Sequence, residues 1–322
     1  MSRPSKTPRL TVNLGGGLVL ANPVIAASGT FGYGEEYAGV LDLNRLGAIA
    51  VKGLSLEPRA GNPAPRLIET PSGLLNAIGL QNVGLKAFLA DKLPFLRRFT
   101  LKVIVNIVGS TVEEYETLAE RLSAAEGVHA LEINVSCPNV KKGGMSFGQS
   151  VAGVFEVVQA VRRKTHLPTI VKLSPNVTDI TELARAAQAG GATALSLVNT
   201  FLGMAIDVET RRPKLASWIG GLSGPAIRPL AVRMVWETSK AVPIPIIGMG
   251  GITSGEDAVE FMLAGASAVA VGTGNFLNPL ATVEVLDGVV RYLRRHGIED
   301  IGRLVGAIDL LNGIDKRPSG AR

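Results

Sequence analysis

The chain has 322 residues, of which 46% are hydrophobic and 19% charged, with a formal net charge of +6 and a single cysteine, Cys137. This composition folds, in two ordinary domains or one large barrel, and the lone thiol excludes an intrachain disulfide and any multi-cysteine zinc or iron–sulfur site built by this chain alone. The opening "MSRPSKTPR" has no apolar leader, and Pro and Gly break the apolar runs short of the ~18 residues of a membrane span, so a reducing, cytoplasmic setting is expected.

In chain order, "LTVNLGGGLVLANPV" reads as a β-hairpin over residues 10–22. "PVIAASG" (23–29) and "AIAVKG" (48–53) follow as short apolar strands. Residues 54–82, rich in Pro and Gly, form a long irregular insertion that is expected to have a task over the active site. "LKVIVNIVG" (101–109) is the third strand. "TVEEYETLAERLSAAEG" then reads as a helix, with Thr111 and Glu114 as a capping box and Gly127 as a stop. "ALEINVSC" (130–137) leads into a polar, Gly-rich loop at 138–149, a candidate lid. "PTIVKLSP" (168–175), a helix opening at Asp179, and "ALSLVNT" (194–200) come next. "AVRMVWETSK" is a helix before "IPIIGMGG" (244–251), and "SGEDAVEFMLAGA" is another before "AVAVGTG" (268–274). "VRYLRRHGIEDIGRLVG" supplies helical material at the end.

Near-continuous apolar strands suit a parallel sheet buried on both faces. Eight of them alternating with helices predict an α/β fold, a (β/α)8 TIM barrel, with 1–322 as one domain. A doubly wound open sheet is the rival. The first strand, however, lacks a G-x-G-x-x-G turn, and functional-looking residues stand at nearly every strand end.

A barrel gathers those ends at one mouth: Ser28, Lys52, Asn106, Asn134, Cys137, Lys172, Asn199, Thr200, Gly250, Gly251, Gly272 and Thr273, with Asn76 and Asn139 from loops. A buried lysine needs an anion, and amides suit a planar ligand of alternating carbonyl and N–H groups. "GMGGITSGED" and "AVGTGN", after the seventh and eighth strands, offer backbone N–H groups to a phosphate, with the field of the next helix N-terminus behind them. The basic residues are scattered in pairs without an aromatic-interleaved stripe, which argues against nucleic acid and for anionic ligands or an acidic protein surface. The histidines are dispersed, no acidic cluster suggests a metal, and Glu132 reads as a packing or stabilising residue. Cys137 is a small buried hydrophobe, a nucleophile or a general base. Pro138 ends its strand and no histidine stands close to activate it, so general base is the preferred reading.

"AASGTFGYG", "NAIGLQN", "EINVSCPNVKKGG", "VKLSPN", "LVNT", "GGLSGPAIRPLAVRMVWE", "IIGMGGI" and "VGTGN" together resemble the dihydroorotate dehydrogenases, over nearly all of the chain. The resemblance implies FMN near Ser28, Lys52, Gly53, Asn106, Asn134, Lys172 and Val198, with its phosphate by Gly224, Gly250, Gly251, Gly272 and Thr273. It implies dihydroorotate beside Lys52, Asn76, Ala77, Ile78, Gly79, Leu80, Asn134, Asn139, Asn199 and Thr200, with Cys137 as the base. A cysteine base points to the soluble forms, and "RLIETPSGLLNAIGLQN" is most like the NAD-dependent kind. That kind implies a homodimer within a heterotetramer, whose electron-transfer subunit carries FAD and a [2Fe–2S] cluster. The alternatives are a homodimeric fumarate-reducing form, a dihydropyrimidine dehydrogenase-like FMN subunit, a dihydrouridine synthase, and a non-redox phosphate-binding barrel.

Overall fold

The computed structural model describes residues 7–136 and 147–309. A hairpin pairs β1 (Val12–Asn13) with β2 (Val19–Leu20), and its turn lies under Thr193 and Pro168. β3 (Val24–Ala26) and β4 (Ala48–Ala50) follow, then a second hairpin of β5 (Leu67–Thr70) and β6 (Gly73–Asn76). Next come β7 (Lys102–Ile107), β8 (Ala130–Asn134), β9 (Thr169–Lys172) and β10 (Ala194–Leu197). After β10 the chain forms β11 (Phe201–Met204), β12 (Ile206–Asp207), β13 (Arg212–Pro213) and β14 (Ile219–Ser223), before β15 (Ile246–Met249) and β16 (Ala268–Val271).

Eight strands close a parallel barrel in the order β3-β4-β7-β8-β9-β10-β15-β16, with β16 returning to β3. The expected (β/α)8 barrel is the fold observed. Its strands are buried almost throughout, as parallel strands covered by helices should be.

The helices are α1 (Gly84–Ala87) and α2 (Leu93–Leu96), joined through a π turn, then α3 (Val112–Ser123), α4 (Val151–Lys164), α5 (Ile180–Ala189), α6 (Arg228–Ala241), α7 (Gly255–Leu263), α8 (Gly274–Leu277) and α9 (Ala281–Arg295). The first three-helix stretch at 84–96 and α4 were not singled out in the sequence. Thr111 caps α3 by accepting from Glu114 N, but the Glu114 carboxylate accepts from Ser110 N rather than from the cap residue itself. The expected box at Thr111 is therefore shifted by one residue. A complete box stands instead at α7, where Ser254 and Asp257 satisfy each other's backbone.

The insertion after β4 is not irregular as expected. Its β5–β6 hairpin joins β14 and β11 in a four-stranded antiparallel sheet of order β11-β14-β6-β5. Pairing partners so far apart in the chain leave no local periodicity to read. Asn76 Nδ2 donates to Gly221 O at 3.1 Å, across a sequence separation of 145 residues.

α7 and α9 cross at a pair of glycines. A methyl group on Gly288 would lie 2.7 Å from Gly255 Cα and 3.0 Å from its N. In an isolated helix Gly→Ala gains about 1 kcal/mol. Here the crossing must open, so Gly288→Ala is expected to lower the unfolding free energy by about 1–3 kcal/mol, measured by urea denaturation.

Candidate active site

The C-terminal ends of the barrel strands open into a cavity of about 760 Å³, lined by Ser28, Lys52, Gly53, Asn106, Asn134, Lys172, Gly250, Gly251, Gly272 and Thr273 from those ends. Its size is that of a ligand site. The second sheet and its connections supply Asn76, Ala77, Ile78, Gly79 and Leu80, and Val198, Asn199, Thr200 and Gly224 complete the wall. All the candidate residues within the described chain thus line one space. Cys137 and Asn139 lie outside the described residues, as does the proposed lid except for the 3-10 turn Phe147–Gln149.

Polar groups inside the barrel form the floor. Lys172 is 6% exposed, and its Nζ donates to Ser28 Oγ at 3.1 Å. Lys52 Nζ lies 3.4 Å from Gly29 O. Among the described residues neither lysine has an acidic partner. Burial pushes the Lys52 pKa down, and the positive charges of Arg66 and Lys172 add to the effect. Asn106, fully buried, donates from Nδ2 to Glu132 Oε2 at 2.5 Å, and Glu132 Oε1 accepts from Ser196 Oγ at 2.7 Å. The other end of the Asn106 amide, Oδ1, is buried without a partner among the described residues. Glu132 has the stabilising place expected of it.

The glycine rim stands where the seventh and eighth barrel strands end. Gly224, Gly250 and Gly251 adopt φ values of +95°, +130° and +76°. Thr273 Oγ1 and Ser223 Oγ are 2.8 Å apart, tying that rim to the second sheet. Asp257 Oδ2 accepts from Thr253 N and Ser254 N, Ser254 Oγ accepts from Asp257 N, and Arg228 pairs with the same carboxylate. The start of α7 is satisfied by its own side chains, and α8 is four residues long.

The roof is rigid. Ala77 N donates to Arg66 O at 2.8 Å, Asn62 N to Ile78 O at 3.0 Å, and Asn62 Nδ2 to Ala77 O at 2.9 Å. Leu80 holds φ +56°, a conformation that costs a branched side chain energy and persists where its surroundings enforce it. Asn199 uses both ends of its amide within the protein: Nδ2 donates to Ser136 Oγ at 2.9 Å and Oδ1 accepts from Thr200 N at 2.9 Å. It braces the last described residue before Cys137. Tyr115 adds a second brace, donating its hydroxyl to Asn134 O at 2.6 Å.

Sequence reasoning missed Arg59, Arg66, Ser136, Ser223, Met249 and Phe276, all of which line the cavity. The arginines had a signal, since "EPRAGNPAPR" puts two cations into the insertion already assigned to the mouth. Among the described residues two lysines lack acidic partners and a buried acceptor lacks any; together with a glycine rim they fit an anionic cofactor whose ring carries an N–H, as FMN does.

The dihydroorotate dehydrogenase family profile matches residues 9–293. Similar proteins include "Dihydroorotate dehydrogenase B (NAD(+)), catalytic subunit" of Desulforamulus reducens, 60% identical over 92% of this chain and 97% of that one. The protein of the same name from Pelobacter propionicus is 58% identical over 94% and 99% of the two chains. Among solved structures, the crystal structure of DHODH in complex with ferulenol from Eimeria tenella superposes with a TM-score of 0.76 at 24% identity, covering 95% of this chain and 91% of that one, a likeness of fold.

A Cβ at Gly251 would stand 2.7 Å from Gly224 O and 2.9 Å from Arg228 Cβ, at positive φ. Gly251→Ala is expected to lose about 1–3 kcal/mol of stability and to purify with less than half the wild-type flavin, read by thermal unfolding and by absorbance after acid release.

Proposed function

The chain belongs to the dihydroorotate dehydrogenase family, and on that premise we propose that it oxidises (S)-dihydroorotate to orotate, a step of pyrimidine biosynthesis, with FMN in the 760 Å³ cavity and NAD as the final acceptor. One observation carries the reading. Two lysines that lack acidic partners among the described residues, and an amide oxygen that lacks any partner among them, meet at one mouth with Ser136, the residue before Cys137.

FMN, when bound, supplies a two-electron acceptor for the hydride leaving substrate C6. The chain's own residues do the rest. The Cys137 thiolate takes the C5 proton, in the role of general base. Lys52 holds the substrate carboxylate, and the segment from Asn76 to Leu80, with Asn134, Asn139 and Thr200, orients the ring. Asn199 acts through Ser136, fixing where β8 delivers the chain. Lys172, buried beneath the ring site, stabilises negative charge on the cofactor. Ser28, Gly53 and Val198 line the cofactor's place, and the rim of Gly224, Gly250, Gly251, Gly272 and Thr273 takes its phosphate. The braced roof limits water at the reacting carbons.

A chain with one cysteine has no ligands of its own for a [2Fe–2S] cluster. The route to NAD is therefore assigned to a partner subunit carrying that cluster and FAD. The names of the two bacterial relatives, a catalytic subunit acting with NAD(+), support this division. The assembly proposed is a homodimer of this chain within a heterotetramer. Leu202, Met204, Val208, Trp218 and Ile219 are exposed on or beside the second sheet, and such an apolar surface suits a protein contact. No helix among the described residues is long and apolar enough to cross a membrane. A cytoplasmic location is proposed with the rest.

Cys137→Ser is expected to retain FMN while anaerobic flavin reduction by dihydroorotate at pH 7 slows by about 100-fold or more. Stopped-flow absorbance at the flavin band measures it, and an undiminished rate excludes Cys137 as the base.

The lowered Lys52 pKa gives a second expectation. Below that pKa the amine is charged and holds the carboxylate; above it the amine is neutral. KM for dihydroorotate should therefore rise as pH climbs through the lowered pKa, earlier than for an ordinary lysine. In Lys52→Arg, whose guanidinium stays charged, this limb of the KM profile should flatten.

A further inference from the structure

The barrel interior holds a carboxylate to which the reaction gives no task. Glu132 is 2% exposed and stands on β8 between Asn106 of β7 and Ser196 of β10. An ionised carboxylate can only accept hydrogen bonds. Its two oxygens take Asn106 Nδ2 at 2.5 Å and Ser196 Oγ at 2.7 Å. That contact dictates which way the Asn106 amide faces, because an amide oxygen turned toward Glu132 would set acceptor against acceptor. The carbonyl oxygen must then point the other way. It does: Asn106 Oδ1 is buried, has no partner among the described residues, and lies 3.0 Å from where a Cβ of the cavity-lining Gly53 would stand.

On the next strand the polarity is reversed. Asn134 Oδ1 accepts from Ser136 N at 3.2 Å, which leaves its amide nitrogen as the group to donate. Lys172 Nζ is a further donor on this floor. On this floor the Asn106 oxygen is thus a fixed acceptor with donors at Asn134 and Lys172, the complement of a ring edge in which an N–H lies between carbonyls.

We propose that Glu132 is a positioning residue that locks the Asn106 amide so that its carbonyl oxygen receives a ring N–H of the cofactor, and that this lock sets flavin affinity. The proposal rests on the reading of the cavity as a flavin site. Glu132 also polarises the amide it holds, and a hydrogen bond at one end strengthens the acceptor at the other.

The test uses the full chain stripped of flavin and titrated with FMN by fluorescence. Glu132→Gln keeps the size of the side chain but offers one acceptor and one donor, so Asn106 is no longer obliged to turn its oxygen to the cavity. The dissociation constant is expected to rise about tenfold while the thermal midpoint of the apoprotein stays within about two degrees. The double variant Glu132→Gln with Asn106→Asp restores the polarity. The glutamine amide donates to one aspartate oxygen, Ser196 donates to the glutamine oxygen, and the second aspartate oxygen faces the cavity as an acceptor. It is expected to recover most of the lost affinity. Wild-type affinity in Glu132→Gln overturns the proposal. So does a double variant no better than the single one, which would make Glu132 a packing residue. A wild-type apoprotein that fails to take up FMN instead overturns the reading of the cavity, a separate failure seen before any variant is made.

Discussion

The ladder between β16 and β3 closes the sheet, with Val269, Ala270 and Val271 set against Val24, Ile25 and Ala26. The site depends on that closure. In an open sheet Lys172 on β9 and Ser28 after β3 would be strands apart; in the barrel they are 3.1 Å from each other. Closure also buries the barrel interior, and this gives the polar residues there their meaning. A lysine held away from water with no acid beside it is a standing cost. At Lys52 burial lowers the pKa most, and the positive charges of Arg66 and Lys172 add to it. An incoming anion relieves both, so electrostatics selects what enters before any particular contact does.

The same buried interior explains why so few groups can organise so much. Glu132 on β8 ties β7 and β10 to its own strand through two hydrogen bonds, and Asn199 ties the exits of β8 and β10. Neither residue needs to touch a reacting atom to matter. Short polar links across the barrel wall hold these groups in fixed rotamers, which a site of this kind requires if its donors and acceptors are to stay aimed.

Much of this was legible in the amino-acid sequence, for identifiable reasons. Buried parallel strands announce themselves as unbroken apolar runs, and eight in alternation with helices leave few topologies. The ends of those runs then located Lys52, Asn106, Asn134 and Lys172 without any contact information. What escaped was non-local or conformational. β5, β6, β11 and β14 are short, and their pairing joins segments from opposite halves of the chain. The first is 45% exposed at Leu67, so no inward face is written into it. Glu132 could be placed inside the barrel but its partners could not be named, because the partner on β10 lies 64 residues away. The capping box at α7 joins residues three positions apart, a pairing that spacing permits but does not compel.

The pairing of β6 with β14 bears on how the molecule is assembled. During synthesis the β5–β6 hairpin emerges early, yet the strand that covers its edge follows after four further barrel strands have been made. Until then its edge is open to wrong partners, and closing so long a loop is slow. The roof of the cavity can therefore be completed only after β14 has been made. A ligand that binds only beneath a finished roof reports completion of the fold, and its uptake distinguishes mature chains from those stalled one strand pairing short.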